Sequence, residues 1–202
     1  MATQGATKTA ASGVQYANSS LPPAPVAISY PTEYRALPAG DDATFDTLSA
    51  MRDAVLIGLA PEYSGYQDEF NIRAAHAITS GATQHARMDV IAALFDFAAH
   101  QIQYVAHPLN EQTLQDAKRT MLKGEGDCVS LSVLLATLLA ALGIRSRFVA
   151  QWVDGREASH VYVEAELEDG TWIALDAVAS GEPMGYRQPL QTGGFEVSQE
   201  IF

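Results

Sequence analysis

The chain holds one cysteine, Cys128, in the run Gly124-Glu-Gly-Asp-Cys128, directly ahead of an apolar stretch from Val129 to Leu142. Downstream follow His160, in a segment of alternating character, and Asp176, at the end of Trp172-Ile-Ala-Leu-Asp176. A thiol, an imidazole and a carboxylate in that order are the parts of a nucleophile, a base and an orienter. A thiol at a helix start is well placed for this chemistry. The first N–H groups of a helix lack partners and carry partial positive charge, which favours an anion there. The same N–H groups could hold the oxyanion that forms when a carbonyl is attacked. Taken one at a time the residues have plainer readings. A single cysteine at the edge of a core helix is often an inert small hydrophobe, a lone histidine is often structural, and an aspartate at a strand end forms turns readily. Asp127 reads as the N-cap of the cysteine helix. The donor that would join the Cys128 N–H at an oxyanion is not evident: Gln112 and Gln115 lie far upstream, and Met121 and Leu122 occupy the nearer positions.

The elements that must position these residues are legible in part. Thr44 to Leu59 carries Leu48, Met51, Val55 and Leu59 at helical spacing. A second helical pattern runs from about Gln67 to Thr79, after an interruption at Tyr63-Ser-Gly-Tyr66. A third, Ala86 to Tyr104, places Val90, Ile91, Leu94, Phe95, Ala98, Ile102 and Val105 on one stripe, stopped by Pro108. Thr113 to Leu122 reads as a short helix. The cysteine helix repeats Leu131, Leu134, Leu135, Leu138, Leu139 and Leu142 toward a core and ends at Gly143. Then the period changes to two: Ile144 to Val153, His160 to Leu167 and Thr171 to Leu175 read as strands, the last two joined at Glu168-Asp-Gly170. In the second strand His160, Tyr162, Glu164 and Glu166 face away from Val161, Val163, Ala165 and Leu167, so Glu164 and Glu166 are expected on a solvated face. The tail from Ala177 to Phe202 is Gly-rich and weakly periodic, and is expected to wrap the surface.

Four motifs together resemble the transglutaminase-like, papain-like cysteine superfamily: Gly124-Glu-Gly-Asp-Cys128, Ala141-Leu-Gly-Ile-Arg-Ser-Arg147, His160-Val-Tyr-Val-Glu164 and Trp172-Ile-Ala-Leu-Asp176. Ile102-Gln-Tyr-Val105 makes the chain most similar to the small versions carried by phages and prophages, with His107-Pro108 where such relatives often have Asp-Pro. The resemblance implies an α+β fold with a nucleophile-bearing helix packed on an antiparallel sheet. It also implies Cys128 as nucleophile, His160 as general base and then acid, Asp176 as orienter of the imidazole, and acyl transfer through a thioester on a peptide or protein substrate, with no cofactor and no metal. Whether water or an amine accepts the acyl group is left open. So is the rival reading, a phage virion or assembly component that uses the fold as a docking module with little turnover.

Composition narrows the classes. Twelve Lys and Arg against 24 Asp and Glu give a net charge of −12, which argues against a nucleic-acid partner. One cysteine allows no internal disulfide, and the five histidines show no metal-ligand spacing. Residues 1–42, rich in Ala, Ser, Thr, Pro and Gly, are expected to form an extended N-terminal arm that meets neighbouring virion proteins, and 43–202 the domain, with its core motifs in 124–176. The N-terminus lacks the apolar region of a signal peptide, and no run reaches the length of a membrane span, so expression in a bacterial cytoplasm and incorporation in a virion are the expected settings.

Overall fold

Every residue from Val129 to Leu139 is buried, because the helix that begins at Cys128 runs through the middle of the molecule. The computed structural model describes residues 35–36, 43–59, 69–82, 86–106, 113–152, 158–179, 181–190 and 195–201. The helices among the described residues are α1 (Ala43–Leu59), α2 (Phe70–Ile78), α3 (Arg87–Gln101), α4 (Ala117–Lys123) and α5 (Cys128–Ala141). The strands are β1 (Arg35–Ala36), β2 (Gln103–Tyr104), β3 (Thr113–Leu114), β4 (Glu125–Gly126), β5 (Ser146–Trp152), β6 (Ala158–Glu166), β7 (Trp172–Leu175) and β8 (Phe195–Glu200). Helices α1 to α4 pack around α5 on one side, and β5 and β6 cover it on the other. A leucine stripe alone would bury one face of α5. Enclosure by helices and sheet buries the rest, which also takes in Ser130, Ser132 and Thr137. One hydrophobic core reaches from Leu48 and Met51 through Leu94 and Leu134 to Val163 and Ile201.

β5 to β8 form a four-stranded antiparallel sheet in the order β7-β6-β5-β8. The fold is therefore α+β, with the cysteine helix on an antiparallel sheet. β8 corrects the expectation of a surface-wrapping tail. Phe195 to Glu200 pairs with Trp152 to Arg147 along its length, and the Ile201 carbonyl accepts from Arg52 Nε at 2.8 Å. Its outward residues Glu196, Ser198 and Glu200 are exposed, so the hydrophobic alternation is weak at this edge and the pairing depends on a strand far upstream.

Two helix boundaries also differ from expectation. The third helical pattern ends at Gln101, and Ile102 adopts an extended backbone. Gln103 N–H then donates to the Gly124 carbonyl at 2.8 Å and Val105 N–H to that of Gly126 at 2.9 Å, forming the parallel pair β2–β4. Ile102, Tyr104 and Val105 are β-favouring types, and here a cross-strand partner overrides the helical period. Thr113 and Leu114 are extended and pair with Arg35 and Ala36. The helix after them starts only past Asp116, whose Oδ1 caps Arg119 N–H at 2.8 Å. Of the N-terminal arm only Arg35–Ala36 is described; the rest of the arm, the Tyr63–Tyr66 interruption, His85 and His107-Pro108 lie outside the described residues.

The second face of the sheet is not solvated. Tyr162 and Glu164 are each 1% exposed. The segment 181–190 lies over this face: Gly185 N–H donates to the Ala174 carbonyl at 2.8 Å, Gln151 Nε2 to the Gln188 carbonyl at 3.3 Å, and Arg187 pairs with Glu164. Arg147 Nη2 completes the cluster, 2.6 Å from Glu164 Oε2, with its guanidinium 4.4 Å from the centre of the Trp172 ring. Two residues that define motifs in the sequence, Arg147 and Trp172, thus serve to seal a buried carboxylate. Glu166 does sit at the rim as expected, paired with Arg145 at 3.0 Å.

Candidate active site

The turn before Cys128 is built from short-range constraints. Gly124 ends α4 in the left-handed region at φ 70°, a conformation that costs a residue with a side chain about 1 kcal/mol or more. Gly126 lies under α5: a Cβ there would sit 2.8 Å from Ser130 Cβ. Asp127 caps the helix as expected, its Oδ1 accepting from Ser130 N–H at 2.8 Å and from Ser130 Oγ at 2.7 Å. These bonds hold that carboxylate oxygen to the first turn. Cys128 stands at the first helical position, partly exposed, with its side chain at the margin of the core.

His160 stands near the start of β6, and Asp176 follows the last residue of β7, its neighbour in the sheet. His160 Nε2 lies 2.8 Å from Asp176 Oδ2, and Cys128 lies near enough to the same ring to raise its pKa. The sequence left Asp176 between a turn-former and an orienter, and its two oxygens divide the tasks. Oδ1 accepts Val178 N–H at 3.2 Å while Oδ2 meets the imidazole. The aspartate is 4% exposed, so the turn fixes the carboxylate and the carboxylate fixes the ring. Tyr162 stacks with the imidazole, ring centres 6.0 Å apart.

The electrostatics follow from this packing. Burial works against a charged His160 ring, but the hydrogen bonds to Asp176 and Cys128 and the negative charge of both outweigh it, pushing the imidazole up to about 9. At neutral pH the ring is thus a cation held between a carboxylate and a sulfur. Such an arrangement can stabilise a thiolate, deliver a proton to a leaving group and take one from water.

Tyr104 is a neighbour that the sequence did not single out, because its segment carried a helical period. Pairing of β2 with β4 sets it opposite Gly126. Burial, then the charges of Cys128, Asp127 and Asp176, raise its phenol above the ordinary value, although the residue is 45% exposed. The signal that could have found it is the extended-type run Ile102-Gln-Tyr-Val105 directly after the helix.

A cleft of about 600 Å³ lined by His76, Thr79, Arg87, Val90 and Leu142 lies at the C-terminal end of α5. Fourteen residues of helix separate it from Cys128, about 20 Å at 1.5 Å per residue, so it is no part of this site. Among the described residues no group of three His, Cys, Asp or Glu side chains could hold a metal ion, and no helix is long and apolar enough to cross a membrane.

The Transglutaminase-like superfamily model matches residues 72–177, a span that includes Cys128, His160 and Asp176. Several solved structures are similar to the chain, three of them as follows. One is a protein proposed to be a protease from Parabacteroides distasonis, with 16% identity and a TM-score of 0.49, the match covering 64% of this chain and 26% of that one. Another is a protein proposed to be a cysteine protease from Cytophaga hutchinsonii, with 18% identity, a TM-score of 0.46 and coverage of 72% and 52%. The third is a TGase, with 14% identity, a TM-score of 0.41 and coverage of 70% and 35%. The chain thus spans between about a quarter and about half of the length of these proteins. No curated protein matches it.

Proposed function

The chain belongs to the transglutaminase-like superfamily, and from that membership we propose that it is a cysteine-dependent acyl-transfer enzyme that hydrolyses peptide or isopeptide bonds through a thioester on Cys128. The observation that carries this is the His160 ring, 2.8 Å from Asp176 Oδ2 and near enough to Cys128 for the two to raise its pKa together. With the proton resting on the ring, the sulfur is the nucleophile. It adds to the amide carbon, and the carbonyl electron pair moves to oxygen, facing the N–H groups at the start of α5. The intermediate collapses as His160 passes its proton to the departing nitrogen, leaving an acyl-thioester and a neutral imidazole. A water then gives its proton to His160 as its oxygen adds to the thioester carbon, and expulsion of the sulfur releases the acid and restores the ion pair. Asp176 keeps the ring oriented throughout and offsets its positive charge.

The test is alkylation by iodoacetamide at pH 6. Cys128 should react faster than a free thiol at that pH, and His160→Ala should remove the excess; equal rates for wild type and free thiol would sink the reading. Release of acid without uptake of a primary-amine tracer distinguishes hydrolysis from amine transfer.

The same proposal takes 43–202 as the domain and 1–42 as an arm, and places the enzyme in a phage setting, on the similarity of Ile102-Gln-Tyr-Val105 to phage and prophage members of the superfamily. A particle carrying Cys128→Ala that assembles but does not infect supports chemistry. One that infects normally favours the docking role, with the arm between virion neighbours.

A further inference from the structure

Addition of Cys128 to a carbonyl needs a second donor for the oxygen beyond the backbone N–H of the helix start, and the nearby side chains are largely excluded. Met121 and Leu122 carry no donor. The Ser130 hydroxyl is committed to Asp127 at 2.7 Å. Gln115 is 2% exposed, so its side chain does not line the surface from which a substrate arrives. Tyr104 meets none of these objections. The pair β2–β4, closed by Gln103 N–H on the Gly124 carbonyl and Val105 N–H on that of Gly126, fixes its backbone beside the turn that leads into Cys128. Tyr104 is 45% exposed, and among the described residues no hydrogen-bond partner is seen for its hydroxyl. Burial, and then the anions around it, keep the phenol protonated, and a protonated phenol is a donor.

We infer that Tyr104 is a catalytic residue of this site, its hydroxyl donating a hydrogen bond to the substrate's carbonyl oxygen as Cys128 adds to the carbon. No proton is transferred in the step: the carbonyl pair moves to oxygen, the phenol and the Cys128 N–H share the resulting charge, and the pair returns when the leaving group departs. The inference rests on Cys128 as nucleophile, and it assigns the donor that the sequence left open.

The experiment compares two reactions of the same sulfur. Acylation by p-nitrophenyl acetate passes through an oxyanion, whereas alkylation by iodoacetamide does not. Tyr104→Phe, read on protein whose circular dichroism matches wild type, should slow acylation by roughly 10²- to 10³-fold, the range for one lost oxyanion donor, while alkylation keeps its wild-type rate. Acylation at the wild-type rate overturns the assignment. So does a parallel fall in both rates, which would mean that Tyr104 acts on the thiol or on folding. A wild-type protein that alkylates rapidly but is not acylated overturns the Tyr104 role alone; one alkylated no faster than a free thiol overturns the nucleophile and this role with it.

Discussion

Ser132 Oγ donates to the Val161 carbonyl at 3.2 Å, so the helix that begins at Cys128 is bonded to the strand that carries His160 at the residue directly after the histidine. Both residues are buried, Ser132 at 4% and Val161 at 6% exposure. This bond sets the spacing between Cys128 and His160 without touching either. Ser132→Ala should lower the unfolding free energy by about 1 kcal/mol, the net value of one buried hydrogen bond. Urea denaturation measures it, and an unchanged midpoint would mean that the contact is incidental.

Gly126 admits no side chain where it stands. A methyl there would lie 2.8 Å from Ser130 Cβ and 3.3 Å from Thr120 Cγ2, and Ser130 cannot swing away while it is held by Asp127. Gly126→Ala should therefore destabilise the fold by about 1–3 kcal/mol, as overpacking does, and should also slow Cys128 alkylation by displacing the first turn of α5. A stable variant with wild-type alkylation would refute the tight fit.

The pH dependence follows from His160. Its folded value of about 9 lies above the ordinary 6.5, so its contribution to stability is complete below pH 6.5 and is lost as pH rises through about 9. The difference in unfolding free energy between wild type and His160→Gln should shrink across that window. Asp176→Asn removes the principal stabilising partner, and the imidazole, followed by proton NMR, should titrate closer to 6.5. A ring that titrates alike in both proteins would exclude Asp176 as the cause.

Glu164 tests the far face of the sheet. It is 1% exposed and paired with Arg147 and Arg187. Removing one partner of a buried pair leaves the other charge uncompensated, at a cost of about 3–5 kcal/mol. Arg147 and Arg187 are 25% and 45% exposed and can draw on solvent, so Glu164→Ala should fall near 3 kcal/mol, the lower end of that range. Thermal melting of this variant and of Arg147→Ala reads the effect.

What the sequence by itself determined is local or strongly periodic. The cap at Asp127, the glycine turn and the long helix after Cys128 depend on residues within a few positions of one another, and the alternation of β5 to β7 carries its own period. The thiol, imidazole and carboxylate could be nominated because each sits at a definable point on such an element. Tertiary structure decided the rest. β8 forms because β5 offers an open edge, Tyr104 leaves its helix because Gly124 and Gly126 supply carbonyl acceptors, and Glu164 is buried because segment 181–190 and two arginines cover it. In each case the partner lies more than twenty residues away or has no period of its own. The free energy that selects the conformation therefore comes from a contact that no local pattern encodes.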